Sequence, residues 1–138
     1  MVMRILGIDY GDKNMGLAVS DALGITAQGL GLYRQKGRKE DLAHFKGLVA
    51  EYGIEQIVVG LPLRMDGTSG SRAEITRKYA DWLGTALGIP IVFWDERLTT
   101  KEAFRILREQ NAAPKKKKAL KDQIAATLIL ASYLESQR

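Results

Sequence analysis

The sequence predicts an α/β fold: a mixed five-stranded sheet with a three-strand antiparallel start and a parallel centre, flanked by helices. Three apolar, strand-patterned segments open the chain with only short turns between them. Two further apolar runs, "EQIVVGLPL" and "IPIVFWDE", each follow a segment of helical periodicity. Crossovers of that kind favour parallel pairing, with helices on the sheet faces. No internal repeat, low-complexity stretch or linker breaks the 138 residues, so residues 1–138 are expected to fold as one domain.

Residues 3–10 and 15–20 read as strands joined by a Gly-rich turn, which predicts a hairpin. Residues 26–35 form a weaker third strand, interrupted by Gly29 and Gly31. In "RKEDLAHFKGLVAEYG", Leu42, Phe45, Leu48, Val49 and Tyr52 recur at helical spacing, and Gly53 closes the helix. His44 falls off that stripe and is expected to face solvent without a role. "EQIVVGLPL" then reads as a buried strand. Ser71 and Glu74 have capping-box spacing ahead of "AEITRKYADWLGTALG", which ends at Gly88. "IPIVFWDE" is another buried strand. Thr99 and Glu102 make a second capping box before the helix "KEAFRILREQN". After Pro114 a last helix carries Ile124, Leu128, Ala131 and Leu134 on one face. Trp82 and Trp94 lie within helix and strand and are expected to pack in the core.

Composition narrows the chemistry. Cysteine is absent and histidine occurs once, which excludes disulfides, thiolate metal sites, cysteine nucleophiles and histidine-rich zinc sites. A metal, if held, must take oxygen ligands, which points to Mg²⁺ or Mn²⁺. The net charge of +5 suits a polyanionic partner such as nucleic acid. No apolar run is long enough to span a bilayer. Charge comes early in "MVMRILGID", so no signal peptide and a cytoplasmic location are expected.

Two apolar strands end in acid. "RILGID" ends in Asp9, and "IPIVFWDE" ends in Asp95 and Glu96. If these strands are parallel neighbours, the acids share the sheet edge where open α/β folds hold ligands. Carboxylates about 4 Å apart repel by about 4 kcal/mol at an effective dielectric near 20. A proton or a bound cation relieves that repulsion. A third acid, Asp122, lies one turn before Ala125 and Ala126, near the packed stripe of the last helix. Each acid also has an ordinary structural reading: an Asx-turn for Asp9, a surface pair with Arg97 for Asp95 or Glu96, and a favourable helix-dipole position for Asp122. Both faces of a buried parallel strand are apolar, so periodicity leaves Asp95 and Glu96 as alternatives.

Four motifs in order, "GIDYGDKNMGLAVSD", "VVGLPLRMDGT", "WDERLTTKEA" and "KDQIAATLIL", resemble the YqgF/RuvX family of ribonuclease H-like nucleases. The resemblance spans nearly the whole chain. It implies a ribonuclease H-like fold and a nuclease site of three carboxylates: Asp9, Glu96 and Asp122, with Asp95 as the alternative to Glu96. It also implies 5′-end maturation of the small-subunit rRNA precursor, with Holliday-junction resolution as the alternative. The family's first motif often has Lys–Arg where this chain has Lys13–Asn14, which removes one phosphate contact.

The expected reaction is hydrolysis of a phosphodiester assisted by two Mg²⁺ or Mn²⁺ ions, with Asp9 bridging them and Glu96 and Asp122 each completing one. Lys13 follows Asp9 in the first turn, and Arg64 and Arg72 flank the Gly/Ser-rich loop "MDGTSGS", which reads as mobile. Arg97 follows Glu96, and Lys115, Lys116, Lys117, Lys118 and Lys121 precede Asp122. These cations are expected to hold phosphates, giving shape or end preference and a steep salt dependence. RNA is the favoured partner and DNA the alternative, for a monomer or homodimer. Two rival readings are a kinase-like ATPase lobe, which lacks a second lobe in 138 residues, and a non-catalytic ribosome-assembly module.

Overall fold

Strand alternation organises the whole structure. The computed structural model describes residues 4–98 and 114–137, with side chains from Ala125 onward in the second segment. Its elements run β1 (Arg4–Asp9), β2 (Asn14–Ser20), β3 (Ala27–Arg34), α1 (Arg38–Tyr52), β4 (Ile54–Leu61), α2 (Ser71–Leu87), β5 (Ile91–Asp95), a 3-10 turn (Glu96–Leu98) and α3 (Pro114–Ser136). The five strands form one sheet in the order β3-β2-β1-β4-β5. β1 pairs antiparallel with β2, and β2 antiparallel with β3. β4 runs parallel to both β1 and β5. The expected mixed sheet, antiparallel at its start and parallel at its centre, is present. The expected helix over 101–111 and the Thr99–Glu102 capping box lie outside the described residues.

Each face of the sheet carries its own apolar layer. Leu6, Ile8, Met15, Leu17, Ile57 and Val59 pack with Phe45 of α1 and Leu83 of α2. Ile5, Ala18 and Val58 face the other way and pack against Ala126, Ile129, Leu130 and Tyr133 of α3. Gly7 lets α3 come down close, and α3 passes over Gly16 as well. A Cβ built on Gly7 would lie 2.8 Å from Cβ of Leu130, and one on Gly16 would lie 3.4 Å from Cβ of Ala126. Trp82 and Trp94 are half-buried against the two layers, as expected.

Two local expectations are corrected. Ser71 does not cap α2: Gly70 holds the cap position and no side chain bonds there. A Cβ on Gly70 would lie 2.9 Å from Nε of Arg64, so packing against that arginine favours glycine over a capping side chain. His44 does not face solvent freely; it is half-buried and stacks on Tyr33, with centroids 4.0 Å apart and planes at 10°. Burial lowers its pKa, partly offset by the charge of Asp41.

Asp41 explains why β3, α1 and α2 converge there. It is 1% exposed. It accepts hydrogen bonds from Tyr33 Oη at 2.8 Å, Tyr79 Oη at 3.1 Å and the Lys36 amide at 3.0 Å. Burial and Asp41 together raise both tyrosine pKa values, so both hydroxyls stay protonated and donate. Asp41→Ala strands the buried Tyr79 hydroxyl and the half-buried Tyr33 hydroxyl and is expected to cost about 2–4 kcal/mol in urea unfolding. A loss below about 0.5 kcal/mol would contradict that role.

Candidate functional site

β1 and β5 are not neighbours, since β4 lies between them, but both run parallel to it. Asp9 and Glu96 meet nonetheless. Alternation along β1 puts Asp9 on the same face as Ile5 and Gly7, the face α3 covers. On β5, Val92 and Trp94 face α3, and Glu96 continues that series as the first residue of the 3-10 turn. Phe93 packs in the opposite layer, and Asp95 continues that one.

Gly60 of β4 opens the gap between the two strands. It lies one residue beyond the Ile8–Val59 pair and opposite Trp94. A Cβ there would lie 3.0 Å from Cγ of Glu96 and 2.5 Å from Cδ1 of Ile129. The Glu96 side chain therefore crosses β4 over a position with no side chain. It reaches Asp9 closely enough to share a side-chain hydrogen bond.

That meeting changes the chemistry of Glu96. Burial first, and then the charge and hydrogen bond of Asp9, push its pKa up to about 7, with Arg72 opposing. The pair thus keeps a proton where two exposed carboxylates would hold none. The native state binds this proton more tightly than the unfolded chain, so stability falls as pH rises from about 4.5 to 7. In chelator, urea unfolding is expected to show a loss of about 1–3 kcal/mol across that window, removed by Glu96→Gln. A flat profile in the wild type would contradict the arrangement.

Asp95 is engaged elsewhere. Its carboxylate takes Arg97 Nη2 at 2.7 Å, Arg97 Nε at 3.0 Å and the Arg97 amide at 2.9 Å, which together hold its pKa low. Arg97 Nη1 also donates to the Met65 carbonyl at 3.2 Å. The loop after β4 contains a hydrogen-bonded turn: Gly67 N donates to Arg64 O at 2.8 Å, and Thr68 Oγ1 to Asp66 at 2.6 Å.

Asp122 lies on α3. Leu130 sits over Gly7 and Ala126 over Gly16, the partner of Asp9, so α3 runs antiparallel to β1. Asp122 precedes Ala126 by one turn on the same helix face, toward the end of β1 that carries Asp9. Its side chain lies outside the described residues, as do those of Lys115, Lys116, Lys117, Lys118 and Lys121 in the first turns of α3. Among the described residues no three ligating side chains cluster as a metal site. The Asp9–Glu96 pair offers two crowded oxygen donors that share a proton, a donor chemistry that suits a hard divalent cation.

Beside the pair is an open cleft of about 330 Å³, lined in part by Asp9, Gly11, Asp12, Lys13, Asn14 and Leu32. Lys13 is exposed at this cleft. Arg72 is bound to Asp12 and to the Tyr10 carbonyl. Sequence reasoning missed Gly60, Tyr10 and Asp12. A lone glycine inside "IVVGLPL" was a usable sign of close approach; no sequence signal marked the other two.

Comparison with known proteins gives a consistent picture. The family model described as "RuvX: Holliday junction resolvase" matches residues 3–136. A protein of Halothermothrix orenii named "Putative pre-16S rRNA nuclease" is 49% identical over 135 residues, covering 98% of this chain and 96% of that one. A relative of the same name in Syntrophus aciditrophicus is 48% identical, covering 97% and 89%. Among solved structures, T. thermophilus RuvC in complex with a Holliday junction substrate aligns with a TM-score of 0.61 at 15% identity, covering 98% of this chain and 96% of that one. The large terminase nuclease of thermophilic phage G20c with bound zinc aligns at 0.57 and 18% identity, covering 96% and 81%. These two structures share the fold of this chain.

Proposed function

The chain belongs to the RuvX family, and we propose that it is a metal-dependent nuclease that hydrolyses phosphodiester bonds in RNA, acting on the precursor of small-subunit rRNA. One observation supports this above the rest: Asp9 at the end of β1 and Glu96 just past the end of β5, two strands that do not touch, meet across Gly60 closely enough to hydrogen-bond. The relatives' names favour the RNA substrate over a DNA junction.

Asp9, Glu96 and Asp122 are the residues that would hold Mg²⁺ or Mn²⁺. Bound there as a pair, such ions supply an activated water and neutralise charge on the leaving oxygen. The protein's part is to keep the carboxylates together before the cation arrives, which Gly60 and the 3-10 turn do for Glu96. Glu96 must lose its proton to ligate, so cation affinity is expected to rise up to about tenfold per pH unit below pH 7. Lys13, Arg64 and the lysines of α3 would position the strand through its phosphates, without reading bases. Arg97 would act chiefly by holding Asp95 away from the pair.

The test is incubation with a labelled rRNA-precursor fragment, an unrelated single-stranded RNA and a four-way DNA junction, each with Mg²⁺, Mn²⁺ or chelator. Metal-dependent cutting of the precursor supports the proposal. Cutting confined to the junction moves the substrate to DNA. No cutting of any substrate leaves only a binding module.

A further inference from the structure

Arg72, the second residue of α2, reaches the turn that follows β1. Its Nη1 donates to Oδ1 of Asp12 at 2.6 Å and its Nη2 to the Tyr10 carbonyl at 3.3 Å. The guanidinium carbon stands 5.6 Å from the centre of the Tyr10 ring. That ring is braced in turn by Tyr79, 4.8 Å away centre to centre. The two ends of the ion pair are therefore held unequally. Arg72 is 40% exposed and fixed by a carbonyl and a ring; Asp12 is 74% exposed on a turn. Asp12 also lines the cleft beside Asp9.

An exposed carboxylate–guanidinium pair is among the weaker interactions in a protein, because water solvates both ends. A phosphodiester offers the same fork two oxygens, and a polyanionic strand adds the release of its counterions. Tyr10 keeps the guanidinium in place whichever anion it holds. We infer that Asp12 is an internal stand-in for substrate phosphate: it occupies Arg72 in the free protein, and a phosphate of the bound strand displaces it. This rests on the nuclease reading, since it assigns the phosphate to that substrate. Its consequence is selectivity. A lone small anion gains little by displacing Asp12, whereas a strand gripped at several phosphates does so readily.

The experiment is a double-mutant cycle on affinity for labelled single-stranded RNA, measured by anisotropy in chelator at low salt, with thermal melts to check that each variant is folded. Asp12→Asn is expected to tighten binding about two- to fivefold, the range an exposed ion pair spans. Arg72→Gln is expected to weaken it by about threefold or more. Asp12→Asn added to Arg72→Gln is expected to change affinity by less than about 1.5-fold, because the competitor has nothing left to occupy. If Arg72→Gln does not fold, Arg72→Lys, which keeps the charge and loses the fork, takes its place and should likewise blunt the gain. Equal tightening in both backgrounds would make Asp12 an ordinary repulsive charge and overturn the inference. So would no tightening in either. If the wild type binds neither RNA nor a four-way DNA junction, the nuclease reading fails first and takes this inference with it.

Discussion

Asp9→Asn is expected to lower metal-dependent cleavage by about 10³-fold or more, the scale on which removing one member of a cooperating catalytic set acts. Affinity for RNA in chelator should change by less than about threefold. Asparagine has nearly the shape of aspartate but not its charge, so it leaves the turn and the cleft in place while weakening the hold on a divalent cation. It also takes away the negative charge that opposes ionisation of Glu96. The Glu96 pKa should therefore fall, though only in part, because burial is the larger cause. Stability at neutral pH should hold or rise slightly. That sign separates this account from unfolding: lost activity with unchanged or improved stability fits a catalytic carboxylate, whereas loss of both would make Asp9 a structural residue. A pure binding module would show no metal-dependent cleavage in either form.

The second large effect is Gly60→Ala. The added methyl would meet Cδ1 of Ile129 at 2.5 Å and Cγ of Glu96 at 3.0 Å. Overpacking of this kind costs about 1–3 kcal/mol. The Glu96 side chain must give way, and displacement of about 1 Å at a reacting centre costs up to about 100-fold in rate. The two consequences can be separated. Ile129→Val removes the Cδ1 atom, so Gly60→Ala with Ile129→Val should recover most of the stability and little of the activity. Recovery of both would mean that Gly60 matters only for packing against α3.

The strands, the hairpin, the closing glycines and the acids at strand ends were legible in the sequence because each is a local signal. Alternation and turn chemistry are written over a few residues. Strand order is not: two parallel strands following two helices can lie on either side of one another, and the insertion of β4 between β1 and β5 is decided by how α1, α2 and α3 share the two faces. The choice between Asp95 and Glu96 has the same character. The two residues leading into this dipeptide, Phe93 and Trp94, are both apolar in sequence, and the packing of Trp94 against Tyr133, at 5.8 Å between centroids, shows which face is which. His44 and Asp41 were misjudged or passed over for a related reason. Helical periodicity sees one helix, whereas their partners Tyr33 and Tyr79 come from β3 and α2.

A crystal of the protein grown with Mn²⁺ puts the proposed carboxylate site to the test, because the ion's anomalous scattering locates it without reference to activity. Manganese is expected within bonding distance of carboxylate oxygens of both Asp9 and Glu96, with Asp122 completing the set and Asp95 still on Arg97. Manganese bound elsewhere, or Asp9 and Glu96 left sharing their proton beside an ion held by other residues, would contradict it.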